Sequence, residues 1–322
     1  MKFKNWYYLA LLISVASILI FYIWTNFNLS ALLKLSIENI SILLLLYLIS
    51  ILLFVLNIKI FLKGMGHEAS FKIIYLIVTS SLALNYTTPV KIGIPLRAYL
   101  YKKILNMHLA HAMASLCVEI FVEIFLPILI AIIGIISVFH ITIEIPSLLL
   151  VLPFLIIFLY ILISFKSNNH FRIISQFSLR NRYIGIISIK VSRFVINFRK
   201  GLRLIDKKTL LLFSFILLII YSIDALWLYT LLNIFGIDDL SPICLLYINS
   251  ISFTIGMISM IPMGLGTRDA TSILLLMKLG VPNEIAISVA LIQRAFGTGL
   301  NAILGLLSTS VLGIKFLNSK IK

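Results

Sequence analysis

Apolar runs of about twenty residues recur along this chain and constrain its fold more than any other feature. A helix of about 20 apolar residues is long enough to span the hydrocarbon core of a bilayer. The chain is 61% hydrophobic and 12% charged, whereas soluble domains carry roughly 25% charged residues. The sequence therefore predicts an all-α, polytopic membrane helix bundle in which residues 1–322 form one integral domain. The predicted full-length spans cover residues 6–26, 37–62, 108–139, 147–165, 210–235 and 284–312.

Two polar stretches interrupt this pattern. Residues 84–103 contain two prolines and a glycine, and residues 261–270 contain one proline and two glycines. Proline removes a backbone donor and disfavours helix at the preceding residue, and in lipid every freed backbone group needs a partner within the protein. Each stretch is therefore an ordinary loop or a broken, re-entrant element that lines a polar cavity. Because the feature occurs twice, we favour the cavity.

The apolar segments beside these breaks set the number of spans. The apolar segment 71–84 has only about fourteen residues, fewer than the 17–25 residues that a span needs. A hairpin that enters and leaves on the cytoplasmic side would keep the cations that follow the break on that side. Residues 242–279 fit either two spans or a hairpin that enters from outside. The sequence thus predicts eight spans with one re-entrant hairpin, or six spans with two.

The positive charge of the chain lies mainly between the apolar segments. The formal net charge is +16, and residues 166–208 hold eleven Lys or Arg against a single acid, Asp206. Cationic loops stay on the cytoplasmic side of a membrane, so we expect this segment and both termini to be cytoplasmic. Apolar residues alternate with its cations, which favours amphipathic helices on the inner leaflet over a plain basic loop. This distribution needs no nucleic-acid partner.

Ionisable residues also occur inside the apolar segments. Glu119 and Glu123 share one helix face because they are four residues apart, and Asp224 and Arg294 lie well inside their segments. Each such group costs about 2.5–3.5 kcal/mol in lipid and usually faces a bundle interior or water. One interpretation is structural, with buried ion pairs that fix helix packing. The other is a polar cavity that takes a charged headgroup.

The cavity hypothesis predicts a substrate-binding site. Arginines would hold a headgroup phosphate through their planar fork, and carboxylates would orient the arginines or accept an amine or hydroxyl. Side chains at the first break would bond to the same group or cap the broken helix. We expect Arg97, Arg268 and Arg294 to converge on one cavity. The full predicted set is Asn85, Thr88, Lys91, Arg97, Glu119, Glu123, Arg268, Asp269 and Arg294, with Asp224 as a further lining residue.

Motifs typical of catalysis are missing from the sequence. The chain has no phosphate-binding loop, no G-x-S-x-G elbow and no His, Cys and carboxylate cluster with metal spacing. We therefore predict no catalytic residue, no metal and no cofactor, and we leave open whether the protein is an enzyme.

Three ordered motifs resemble a known family. Residues 89–100, PVKIGIPLRAYL, resemble the P-x-K-x-G-E-P-x-R-x-Y-L signature of the flippase-type membrane domain of lysylphosphatidylglycerol synthases and its stand-alone relatives. Residues 119–123, EIFVE, resemble that family's E-R-x-x-D, and residues 262–270, PMGLGTRDA, resemble its P-G-G-x-G-x-R-E-A. LGVP at residues 279–282 and Arg294 also stand where relatives carry them. The resemblance covers essentially the whole chain.

The resemblance implies a lipid translocase of the cytoplasmic membrane, or a helper in lipid or glycolipid metabolism. Its partners would be membrane lipids, an anionic phospholipid or a lipid-linked sugar. Ile94 and Ile120 stand where the family carries a glutamate and an arginine, so the net charge of the site is unchanged. Some relatives carry a soluble aminoacyl-transferase domain; this sequence shows none, so we expect no lysyl-lipid synthesis by this chain alone.

Two other functions stay open at this stage. One is a membrane enzyme of lipid glycosylation or lipid modification, as proposed for some relatives. The other is an accessory subunit that docks a separate synthase through the basic loop or acts as a homo-oligomer.

Overall fold

The computed structural model describes residues 35–87, 92–139, 182–259 and 264–320, and all regular elements in these ranges are helical. The predicted spans at 6–26 and 147–165 lie outside the described residues. The helices are α1 Ile37–Gly64, α2 Phe71–Thr87, α3 Gly93–Ile104, α4 Leu109–Phe139, α5 Arg182–Arg203, α6 Lys207–Ile234, α7 Pro242–Ile258, α8 Thr267–Lys278, α9 Asn283–Arg294 and α10 Asn301–Lys320, with a π-helical turn, Ala295–Leu300, joining α9 to α10.

The predicted all-α membrane class is confirmed. Among the described residues, α1, α4, α6 and the continuous rod from α9 to α10 are long and apolar enough to cross a membrane. In contrast, α2 and α7 have 17 residues each, at the lower limit for a span. The next described helix after each of these short helices has 12 residues, α3 after α2 and α8 after α7.

The helices on either side of the second polar stretch end and begin earlier than the sequence indicates. We expected apolar helix up to residue 261 and again from residue 271, but α7 ends at Ile258 and α8 already begins at Thr267. The early start has a local cause, because the Asp269 carboxylate accepts a hydrogen bond from the backbone N–H of Gly266 (3.1 Å). An acid in the first turn of a helix satisfies a free N–H and complements the helix dipole.

The long helices α1 and α6 form an antiparallel pair through the centre of the bundle. Trp227 donates from Nε1 to the carbonyl oxygen of Leu43 (3.0 Å), and Asn57 donates from Nδ2 to the carbonyl oxygen of Phe213 (3.0 Å). Rising residue numbers in α1 thus meet falling numbers in α6. Both helices begin at a side-chain cap, Ser36 for α1 and Asp206 for α6.

Two apolar clusters lie at opposite ends of this pair. The first joins residues 55–65 of α1 and 213–220 of α6 to α2, α3 and α4. The second joins Leu43 and residues 227–235 of α6 to α7, α8 and α9. The antiparallel pair therefore connects two separate cores, and its middle, around Ser50 and Asp224, lies between them.

The helix pairs α2–α10 and α4–α7 pack against each other through glycines. Helix α10 lies along α2, where a Cβ on Gly305 would collide with Ala83. Helix α4 lies along α7, where a Cβ on Gly134 would collide with Tyr247. Each contact thus depends on a glycine that lets two helix backbones approach closely, as at many membrane helix interfaces.

Charge is distributed unequally between the two ends of the α1–α6 pair. Lys59 and Lys63 lie at the end of α1, beside Lys207 and Lys208 at the start of α6, whereas Glu38 lies at the opposite end. Helix α5, the described part of the basic segment, packs on the start of α4 through Gly201, which approaches His111 and Ala114. The cationic residues of these helices thus gather at one end of the bundle.

Candidate functional site

A cavity of about 340 Å³ lies midway along the α1–α6 pair, between the two apolar clusters. Its wall is formed by the centres of α1, α4 and α6, by α7 to α9, and by the π-helical turn. Five ionisable side chains line it: Glu123, Asp224, Arg268, Asp269 and Arg294. All five belong to the residues singled out from the sequence, and they bring three carboxylates and two guanidinium groups to the middle of the bundle.

Arg294 and Asp269 form an ion pair in the cavity wall. Arg294 donates from Nε to Asp269 Oδ1 (3.1 Å) and from Nη2 to Asp269 Oδ2 (2.5 Å). Because Asp269 also accepts from Gly266, the pair ties α9 to the first turn of α8. The two side chains remain 19% and 28% exposed, so the pair is accessible from the cavity.

Asp224 accepts hydrogen bonds from two neighbouring helices. Ser50 of α1 donates from its hydroxyl to Asp224 Oδ1 (2.9 Å) and so orients the carboxylate. Asn249 of α7 donates to the backbone carbonyl of Asp224 (3.3 Å), and Gln293 of α9 donates to Asn249 Oδ1 (3.1 Å). These hydrogen bonds join α6 to α1 and α7, and α7 to α9.

Arg97 and Glu119 form a second ion pair outside the cavity wall. Arg97 of α3 donates from Nη1 and Nη2 to the two carboxylate oxygens of Glu119 in α4 (2.5 and 3.0 Å), and from Nε to the hydroxyl of Tyr101 (2.8 Å). Their side chains are only 7% and 2% exposed. In the described part of the chain, neither residue lines the cavity, so the wall contains Arg268 and Arg294 without Arg97.

The buried pair and the cavity are nevertheless neighbours along α4. Glu119 precedes the cavity-lining Glu123 by four residues, a rise of about 6 Å along the helix. Tyr221 of α6, another lining residue, donates to the backbone carbonyl of Glu123 (3.1 Å). Helix α4 therefore connects the two charged sites directly.

Of the three residues predicted at the first break, Asn85, Thr88 and Lys91, the structure describes only Asn85. Asn85 lies near the end of α2 against Gly93, where an added Cβ would approach Asn85 Oδ1, and it does not line the cavity among the described residues. Thr88 and Lys91 lie outside the described residues. Ile94 packs against the first apolar cluster.

Sequence reasoning missed several polar residues of the wall. Asn249, Gln293 and Asn301 interrupt apolar helices and line the cavity, so a search for amides within apolar segments would have found them. Ser50 and Tyr221 gave no such signal, because Ser and Tyr occur widely in this sequence.

The chemistry of this lining suits the binding of a charged or polar group. Guanidinium groups donate to phosphate oxygens, while carboxylates and amides accept from amines and hydroxyls. Within residues 35–87, 92–139, 182–259 and 264–320, no group of three or more His, Cys, Asp or Glu is arranged to hold a metal ion.

One of the comparisons with known proteins finds a match. Neither the curated proteins nor the solved structures contain a match to this chain. A family model described as the lysylphosphatidylglycerol synthase TM region matches residues 7–305, nearly the whole chain. The family is a membrane domain associated with lipid-related functions, which agrees with the apolar helices and with a multi-pass membrane protein. The resemblance in the three motifs is thus confirmed, and the chain belongs to the lysylphosphatidylglycerol synthase TM region family.

Proposed function

We propose that this protein is a lipid translocase, which moves a phospholipid or a lipid-linked headgroup across the cytoplasmic membrane through the central cavity. One observation carries the proposal. Five ionisable residues of both signs meet in a cavity halfway along two antiparallel helices that are long enough to span a membrane. Because charge at that depth is costly unless it meets water or a polar guest, a polar guest explains why these residues are there.

The two arginines of the wall would hold the phosphate of the headgroup. Arg294 already presents its guanidinium to a carboxylate, and Arg268 lies with its guanidinium carbon 5.6 Å from the centre of the Phe253 ring. Glu123 and Asp224 would accept an amine or hydroxyl on the same headgroup. The site would thus suit a headgroup that carries a phosphate together with a second polar group.

The size of the cavity fits a headgroup without its acyl chains. Its volume of about 340 Å³ lies at the lower end of the range for small-molecule sites, roughly 300–1,000 Å³. We propose that the chains stay in the bilayer while the headgroup passes through the cavity. The two breaks, after α2 and after α7, would belong to re-entrant hairpins that admit the headgroup from opposite faces.

We propose the orientation of the bundle in the membrane from the position of its cationic end. The basic helix α5, the end of α1 and the start of α6 would face the cytoplasm, as would both termini. The basic segment 166–208 would lie on the anionic inner leaflet, within a single integral membrane domain. A Ser188→Cys variant in intact cells should resist labelling by an impermeant maleimide added outside, and efficient labelling would reverse the orientation.

Transport by the purified protein tests the proposal directly. In proteoliposomes with fluorescent lipids, we expect faster leaflet exchange for a lipid with a phosphate-bearing headgroup than for a chain-matched lipid without one. Arg268→Gln should abolish this exchange, because the phosphate loses one of its two guanidinium donors.

The matched control is Lys103→Gln, which removes an exposed cation of α3 far from the cavity wall and should leave exchange unchanged. Equal exchange with and without folded protein, or full exchange in Arg268→Gln, would contradict the proposal.

A further inference from the structure

The described wall of the central cavity holds one more carboxylate than it holds guanidinium groups. Its carboxylates are those of Glu123, Asp224 and Asp269, and its guanidinium groups are those of Arg268 and Arg294. Because Arg294 is engaged with Asp269, the other two carboxylates share the one guanidinium group of Arg268. The described wall is therefore negative before a phosphate arrives, and the phosphate would add a further negative charge at membrane depth, where charge is costly.

Glu123 and Asp224 differ in their access to a second cation. Glu123 lies one helical turn after Glu119, and the charge of Arg97 in the buried ion pair reaches it. Asp224 forms no ion pair with any described residue, and Arg268 is the cation whose charge acts on it. Asp224 is thus the carboxylate of the described wall whose charge is least compensated.

The hydrogen bonds of Asp224 leave one of its oxygens available to a proton. The Ser50 hydroxyl donates to Oδ1 (2.9 Å), and no side chain in the described part of the chain donates to Oδ2. A protonated carboxyl group has an O–H donor that a carboxylate lacks, and it keeps some acceptor capacity. Protonation would therefore turn Asp224 from a group that repels a phosphate into one that donates a hydrogen bond to it.

The other titratable groups around Asp224 are less suited to carry a proton near neutral pH. In the described wall, α7 contributes amide, hydroxyl and apolar side chains, and the other helices contribute Tyr47 of α1, Glu123 of α4, Tyr221 of α6, Arg268 and Asp269 of α8, and Arg294 of α9. Tyrosine stays neutral and arginine stays charged in this range, and Asp269 is held by its arginine. The choice is thus between Glu123 and Asp224, and the weaker compensation of Asp224 favours the latter.

We infer that Asp224 carries a proton together with each phosphate-bearing headgroup, so that a pH difference across the membrane drives the transport. The proton comes from water on the side where the headgroup enters, binds at Asp224 Oδ2, and returns to water on the side where the headgroup leaves. The inference rests on the proposed function, because it names the energy source for that same site. Coupling ions of secondary transporters bind near the bilayer midplane, and this cavity lies halfway along two membrane-length helices.

The coupling follows from the charges of the two ligands. A phosphate beside an ionised Asp224 meets a like charge, and like charges close together favour the protonated form of one of them. The proton in turn removes the repulsion and adds a donor, so each ligand strengthens the binding of the other, as linkage requires. One proton with one anionic headgroup carries no net charge. The transport should therefore respond to the pH difference and not to the membrane potential.

Proteoliposomes with an imposed pH difference test the inference on the full chain. The bilayer is a galactolipid without phosphate that contains a trace of fluorescent phosphatidylglycerol, and quenching from outside measures the final distribution of this lipid between the leaflets. One proton per lipid corresponds to about a tenfold ratio between the leaflets for each pH unit, with the excess in the leaflet that faces the more alkaline side. A protonophore should return the ratio to that of protein-free vesicles.

Asp224→Asn should equilibrate the lipid between the leaflets without accumulating it. The amide can still accept from Ser50 and donate to a phosphate, but it does not bind and release a proton. The matched control is Asp239→Asn, at an exposed carboxylate that does not line the described cavity wall, and it should accumulate lipid as the wild type does. Accumulation by Asp224→Asn overturns the inference. Loss of all exchange in this variant also overturns it, because the amide should replace the protonated carboxyl group.

The measurement separates the inference from the proposed function. Lipid exchange by the wild-type protein without accumulation on the alkaline side would remove the proton coupling and leave the translocase. No exchange by the wild-type protein at any pH would remove the translocase proposal, and the proton coupling with it.

Discussion

The two arginine–carboxylate pairs of the described helices are both bidentate and differ in their surroundings. In both, two guanidinium nitrogens contact both carboxylate oxygens. The Arg97–Glu119 side chains are 7% and 2% exposed, whereas those of Arg294 and Asp269 are 19% and 28% exposed. Both pairs join two helices, and burial decides whether such a pair is also accessible from the cavity. Four sets of substitutions test this difference and the packing around it.

The largest effect is expected at the buried pair. Arg97→Gln leaves the Glu119 carboxylate in an apolar cluster without its cation, which costs about 3–5 kcal/mol of unfolding free energy. Unfolding of the purified protein in mixed micelles measures this loss. The double variant Arg97→Gln with Glu119→Gln removes both charges and should recover most of the stability. A double variant as unstable as the single one would show that the pair does more than neutralise charge.

At the cavity pair we expect a smaller loss of stability and a larger loss of transport. Arg294→Gln breaks a charged hydrogen bond that water in the cavity can partly replace, so the loss should stay near about 1.5–3 kcal/mol. Lipid exchange should fall to the protein-free rate, because the cation that would face the phosphate is gone. Exchange at the normal rate would make this pair structural, like its buried counterpart.

The glycines at the α4–α7 and α2–α10 contacts test whether these two contacts are equally well packed. Gly134→Ala would press a methyl group on Tyr247, and Gly305→Ala would press one on Ala83 and on the backbone oxygen of Thr79. Both should lose about 1–3 kcal/mol, as overpacked sites do. Gly297→Ala is the control, since a Cβ there meets nothing within 4 Å. A loss at only one of the two positions would mean that the two contacts are not equivalent.

The smallest effect concerns the caps of α1 and α6. Hydrogen bonds from Thr209, through its side chain and its backbone N–H, lower the pKa of Asp206 below the usual range. A lowered pKa gives stability that is present above the ordinary aspartate range and is lost as the pH falls through the lowered value. Asp206→Asn should therefore flatten the acid side of the stability curve. Ser36→Ala, at the cap of α1, should lower stability without changing that slope.

The sequence predicted the class of the fold and the charged members of the cavity wall. Helix class follows from apolar runs, and Glu123, Asp224 and Arg294 are conspicuous because ionisable residues are rare in such runs. The division into a cavity and a buried pair could not be predicted. Glu119 and Glu123 share one face of α4, and only the packing of α3 and α6 against that face decides which carboxylate meets a guanidinium and which meets the cavity.

Two broken elements that enter from opposite faces would fit inverted repeats, so the sequence already suggested this symmetry. It could not show that α1 to α3 and α6 to α8 share helix lengths of 28, 17 and 12 residues, because the residues of the two segments show no obvious similarity. The shared lengths and the contacts between helices exist only once the chain has folded.

The π-helical turn Ala295–Leu300 determines the direction that the last helix faces. A π-helical turn usually accommodates one residue more than the regular helix, and one residue corresponds to about 100° of rotation. Deleting a single residue here would restore a regular helix and rotate α10 by that angle relative to Arg294. Gly305 would then leave Ala83, and Ser308 would leave Thr79. One inserted amino acid thus lets a single rod present its arginine to the cavity and its glycine to α2.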